Sequence, residues 1–257
     1  MVAKGRPGRG VLLLALTVVA VVVAIAILWP RAPSERVTGE AAGALVVYSS
    51  TDEDQFAALL AAFRQKNPSL RLVYKSLAAR EVDERTRRET DRGQPEADLV
   101  ISSAMDLQIK LVNDRYAQPY ASPHRNLMPG WAVWKNEAFA VTSEPIVIGY
   151  NKRLLSEAEL PSSHDELAAM LNAQPERFRN RIGLYDPAQS PTGYLYISQD
   201  LHIDRDNWDL IGGIGRARPK LYASTKDMID RVSAGDLILA YNIIGSYALQ
   251  RSKSDPD

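Results

Sequence analysis

Twice in the first 110 residues an apolar strand pattern runs straight into paired serines and then into a helical pattern. Ala44-Leu45-Val46-Val47-Tyr48 leads into Ser49-Ser50-Thr51 and the acidic turn Asp52-Glu53-Asp54. Ala97-Asp98-Leu99-Val100-Ile101 leads into Ser102-Ser103 and Ala104-Met105-Asp106. Strand, short loop and helix repeated in this way predict a parallel, doubly wound α/β sheet. In such a sheet ligands bind beyond the carboxyl ends of the strands, where loops and helix N-termini present free N–H groups. Loops of Ser and Thr at those ends suit a small molecule held by hydrogen bonds, not a catalytic centre.

The N-terminus has a different character. Lys4, Arg6 and Arg9 precede 19 uncharged, mostly aliphatic residues (11–29), which Pro30 and Arg31 end. As a helix this run spans ~28 Å, close to a bilayer's hydrocarbon core. A cleavable signal has an apolar region of about 7–15 residues and a small-residue site soon after it. The only candidate here, Ala42-Gly43-Ala44, lies at the first strand, so an uncleaved inner-membrane anchor is favoured over a cleaved signal peptide within residues 1–30. Either way the basic flank stays inside and the rest is exported. Formal net charge is zero over 257 residues, and without the three leading cations 28 basic residues face 31 acidic ones. With no basic stripe interleaved with aromatics, the chain is no nucleic-acid binder. The absence of cysteine removes disulfides, thiolate chemistry and a lipid-modified cysteine.

Residues 31–43 form a polar linker, followed by one lobe at 44–145 and a second at 146–257, with the cleft between them. Thr51 with Asp54 approximates a capping box, and Phe56, Leu59, Leu60 and Phe63 fall on one helical face. Residues 80–92 read as a charged helix with a solvated face. Ser163 with Glu166 caps a helix through Leu171, and a Pro/Ser/Thr loop at 186–192 opens another helix near Gly193. No G-x-S-x-G, H-E-x-x-H or G-x-x-x-x-G-K-[ST] motif occurs, and the Gly212-Gly213-Ile214-Gly215 run lacks the strand a dinucleotide loop requires. Nothing points to an enzyme or a cofactor. His124, His164 and His202 are dispersed and make no metal-ligand spacing.

The run Ala138-Phe139-Ala140-Val141-Thr142-Ser143-Glu144-Pro145-Ile146-Val147-Ile148-Gly149-Tyr150-Asn151-Lys152 resembles the interlobe crossing strand of ABC-transporter substrate-binding proteins. The resemblance is to the ferric-ion-binding-like branch of the type 2 periplasmic binding proteins. Val46-Val47-Tyr48-Ser49-Ser50, Ala97-Asp98-Leu99-Val100, Ile182-Gly183-Leu184 and Lys220-Leu221-Tyr222-Ala223-Ser224 occupy matching places. The resemblance implies a two-lobed fold that closes on a solute and passes it to an ABC permease, from an extracytoplasmic position. A sensor that reports the solute to a membrane histidine kinase is the alternative. Ferric members carry adjacent tyrosines where this chain has Asn242-Ile243-Ile244, so the iron-binding route is not expected. Family members also continue further and return to the first lobe, a portion this sequence lacks.

The strand-end rule gives the candidate ligand residues. Ser49, Ser50, Thr51, Ser102 and Ser103 lie in the first lobe. Ser190, Thr192 and Gly193 open a helix in the second, where a glycine would let a ligand approach the backbone. Glu144 lies on the crossing strand, and Tyr241 and Asn242 end the last strand. Hydroxyls beside helix N-termini favour an anionic solute, a carboxylate or a phosphorylated metabolite.

Overall fold

The structure is a computed structural model that describes residues 43–255. Its N-terminal sheet is parallel, in the order β2-β1-β3. The strands are β1 (Ala44–Ser49), β2 (Arg71–Ser76) and β3 (Leu99–Ile101), with Val47 level with Tyr74 on one side and Leu99 on the other. Helices α1 (Ala57–Lys66), α2 (Ala79–Asp91) and α3 (Met105–Asn113) connect and follow them. All three strands therefore end on one side, and the serine pairs after β1 and β3 become neighbours.

Three expectations fail in this half. The Thr51–Asp54 capping box does not form, because α1 starts only at Ala57. Three successive i→i+3 bonds fill the gap, Gln55 N–H to Asp52 O, Phe56 N–H to Glu53 O and Ala57 N–H to Asp54 O. Of the apolar face expected on α1, only Leu60 is buried, while Leu59 is 57% exposed. The charged helix α2 is also not merely solvated. Val82 is fully buried, and Arg85 and Glu89 turn inward onto Tyr48. The Tyr48 hydroxyl donates to Glu96 (2.7 Å) and Glu89 (3.0 Å), Arg85 pairs with both carboxylates, and Lys75 pairs with Glu96. Each charge in this network has an opposite charge beside it, which lets it lie at the edge of the core.

A short antiparallel hairpin, β4 (Val133–Trp134) with β5 (Ala138–Phe139), follows. Its turn has positive φ at both Lys135 and Asn136, as primed hairpin turns require. The C-terminal sheet has the order β6-β9-β7-β8, formed by β6 (Ile146–Tyr150), β7 (Ile182–Tyr185), β8 (Lys220–Tyr222) and β9 (Leu239–Ile244). β6 runs antiparallel to β9, and the other pairs are parallel. The helices are α4 (His164–Ala173), α5 (Pro175–Phe178), α6 (Pro191–Ile203), α7 (Asn207–Arg216), α8 (Thr225–Ser233) and α9 (Gly245–Ser254). Ser163 caps α4 through the Glu166 N–H, as expected.

β9 is buried on both faces. Leu239 and Tyr241 pack with Leu167, Ile182, Leu210 and Ile214, whereas Ala240 and Ile243 pack with Tyr185, Met228 and Leu237. The glycine run at 212–215 lies inside α7, where Leu210 and Ile214 bury one face. The described residues form one compact unit on these two sheets. No described helix is long and apolar enough to cross a membrane. The anchor-or-signal segment at 11–29 lies outside the described residues.

Candidate functional site

The two serine pairs meet because β3 lies directly beside β1. Ser50 Oγ donates to Ser102 Oγ (3.2 Å) and accepts from the Ser103 N–H (3.0 Å), with Ser103 Oγ 3.4 Å away. Ser102 Oγ also accepts from the Ala104 N–H (3.1 Å), at the start of α3. Ser49 is fully buried, and its hydroxyl accepts from the Thr51 N–H (3.0 Å). Thr51 offers its carbonyl to the Tyr74 hydroxyl (2.8 Å). Ser49 and Thr51 thus shape the loop, and Ser50, Ser102 and Ser103 form the hydroxyl cluster.

From the C-terminal sheet, α6 points its N-terminus at that cluster. Ser190 caps it by accepting from the Gly193 N–H (3.1 Å), and Pro191 occupies the first turn, where its missing N–H costs nothing. Thr192 Oγ1 lies 3.0 Å from Ser103 Oγ, so the start of α6 and the loop after β3 touch hydroxyl to hydroxyl. Gly193 has a different role from the one expected. A Cβ placed there would stand 2.2 Å from Tyr185 Cβ, so the glycine lets α6 lie directly on β7, and Tyr185 fills the side where a Cβ would stand.

Two further contacts cross between the halves, through residues that sequence reasoning missed. Arg80, in the first turn of α2, donates from Nη2 to the Ala188 carbonyl (2.7 Å) and from Nε to the Gln189 carbonyl (3.3 Å). The strand-end rule applies to Arg80 as well as to the serines, but its charged neighbours hid it. Tyr247 of α9 accepts at its hydroxyl from the Asp52 N–H (3.1 Å) and donates to the Asp52 carboxylate (3.1 Å). No local signal foretells this contact, which spans 195 residues of sequence.

Tyr241 and Asn242 do not join the cluster. Ala240 pairs with Gly149 and Ile243 with Val147, so Tyr241 and Asn242 together face the single residue Ile148. This is a β-bulge with Asn242 at φ 58°, and it turns both side chains to Asp200 of α6. The Tyr241 hydroxyl donates to Asp200 (2.9 Å), and the Asn242 amide donates to the same oxygen (2.5 Å). His164 completes the group, with Nε2 3.3 Å from the Tyr241 hydroxyl and Nδ1 2.8 Å from Asn207 Oδ1. Burial, then the Asp200 charge, pushes the Tyr241 phenol well up, which keeps it a protonated donor. Asn242-Ile243-Ile244 belong to β9 itself, not to a loop after it. Glu144 is exposed on the segment entering β6, and its charge joins burial and Tyr185 in raising the Tyr196 phenol. Among the described residues no group of three or more His, Asp and Glu is placed to hold a metal ion.

Donors at converging strand ends, with a helix N-terminus facing them from a second sheet, can bind the oxygens of a small solute. They include no nucleophile–base pair. No family model and no curated protein matches the chain. Solved structures do. The substrate-binding protein of an ABC transporter from Agrobacterium tumefaciens is 36% identical, with a TM-score of 0.81 over 87% of this chain. The chain spans 65% of that protein's length. Iron-bound HitA from Pseudomonas aeruginosa shares the fold at a TM-score of 0.67 and 18% identity, over 83% of this chain and 67% of its own. AfuA from Actinobacillus pleuropneumoniae, a periplasmic binding protein with fructose-6-phosphate bound, does so at 0.63 and 17%, with the same coverages. On its sheets, its converging strand ends and these likenesses, the chain shares the periplasmic-binding-protein-like fold of these proteins, and in sequence it is similar to an ABC-transporter substrate-binding protein.

Proposed function

We propose that this chain is the solute-binding component of an ABC importer. It holds a small anionic solute reversibly between lobes at 44–145 and 146–257 and performs no chemistry. The observation that carries the reading is the Ser50, Ser102, Ser103 and Thr192 cluster, where hydroxyls from the two halves meet. These hydroxyls bond one another. Carboxylate or phosphate oxygens would take over the same donors with stronger, charge-assisted bonds, which would favour the closed form. The 36% identity to the Agrobacterium protein supports the carrier role. An extracytoplasmic position, held by an inner-membrane anchor at 11–29, follows from the sequence pattern.

A thermal-shift screen of carboxylates, phosphorylated metabolites, sugars and polyamines tests this reading. Saturation at about 100 times Kd adds roughly 2.7 kcal/mol, or a rise of ~5–11 °C for a chain of this size. The hits are expected to be anions, and Ser50→Ala with Thr192→Ala should erase their shifts. Hits confined to sugars or polyamines would reject the anionic reading.

A further inference from the structure

Arg80 is a cation held on the opposite half of the molecule by two neutral acceptors. A guanidinium carries five N–H donors in a planar fork. Nε and Nη2 reach the Gln189 and Ala188 carbonyls, each taking one N–H. The nearest carboxylate, Glu84, stands 3.9 Å from Nη1, beyond hydrogen-bond reach. Three donors are thus left without an acceptor among the described residues. The two carbonyls belong to the loop that ends at Ser190, the cap of the helix carrying Thr192. The fork is therefore anchored within a few residues of the hydroxyl cluster, and its other edge makes no hydrogen bond and carries only the long ion pair to Glu84.

We propose that Arg80 reads the charge of the solute: its free Nη donors take the anionic group while its other two hold the 188–189 loop, so that anion binding and closure are one event. This rests on the anionic reading above. Two carbonyl bonds fix the plane of the guanidinium before a solute arrives, so the anion meets an oriented fork. A lysine at this place would offer charge without that orientation.

Calorimetric titration of the wild-type chain, Arg80→Gln and Arg80→Lys with glucose 6-phosphate and with citrate tests the assignment. Arg80→Gln is expected to weaken binding about ten- to a hundredfold, the scale of hydrogen bonds to a charged group, and Arg80→Lys to recover part of the loss. The side chain is about half exposed, so melting temperatures without ligand should stay together. The second phosphate proton leaves near pH 6. Wild-type affinity for glucose 6-phosphate should therefore rise from pH 5 to 7.5, and Arg80→Gln should flatten that rise. A residue that only latched the halves would leave the pH profile unchanged, and that result overturns the charge-reading role. Wild-type binding that Arg80→Gln leaves intact overturns the assignment alone. A wild-type chain that binds neither anion overturns the anionic reading with it.

Discussion

Replacing Gly193 with alanine separates packing from binding at the start of α6. The new Cβ would stand 2.2 Å from Tyr185 Cβ, 2.8 Å from Cγ and 3.4 Å from Cδ2. Carbon atoms rest about 3.5–4.0 Å apart, so the helix must back away by more than ~1 Å. Tyr185 cannot yield instead. It ends β7 level with Tyr222 of β8, it is 2% exposed, and its ring stands edge-on to Tyr196 at 6.2 Å. Its hydroxyl is tied to Thr225, and burial pushes its phenol up to about 12. Overpacking costs about 1–3 kcal/mol, and a contact made by two Cβ atoms belongs at the upper end. Alanine's better helix propensity returns ~1 kcal/mol. The net loss is ~2 kcal/mol, or a fall of ~4–8 °C in Tm for a chain of this length. Gly215→Ala is the matched control, since nothing lies within 4 Å of its Cβ position in α7. It should gain ~0.4–1 kcal/mol and melt slightly higher. Calorimetric melting of the ligand-free variants reads both effects. Gly193→Ala melting at or above wild type would refute the claim that the glycine exists for helix–sheet contact.

Two other outcomes follow from the charges and the phenols. Lys75, then Tyr48, holds the Glu96 carboxyl below its usual range, and Arg177, then Ser156, pushes Glu159 down to about 2. A carboxyl with a lowered folded pKa stabilises fully above its unfolded value of about 4.3 and less as pH falls through the folded one. Thermal unfolding between pH 6 and pH 2 should lose stability on the acid side, and Glu96→Gln or Glu159→Gln should make that loss shallower; an unchanged acid limb in both would contradict the pairing. With Tyr241 a protonated donor to Asp200, titration with a ferric chelate should give no tyrosinate-to-iron absorption band. A strong visible band that Tyr241→Phe abolishes would show that the phenol faces the cleft after all.

The sequence by itself determined what depends on neighbours a few residues apart. Apolar runs ending in serines placed β1 and β3, Ser163 with Glu166 marked the start of α4, and the strand-end rule put Ser50, Ser102, Ser103 and Thr192 at one place. Those signals are local because helix and strand periodicity and caps act over a turn or less. Tertiary structure alone decided which atoms met. Gly193 reads as a ligand loop until Tyr185 is seen beneath it. Tyr241 and Asn242 read as cleft residues until the bulge against Ile148 turns them to Asp200. The glycines of α7 argue against a helix by propensity, yet Leu210 and Ile214 fill the core and outweigh them. Arg80 meets a loop 108 residues away and Tyr247 meets Asp52 across 195, because strand order and bulges, not spacing along the chain, bring such groups together.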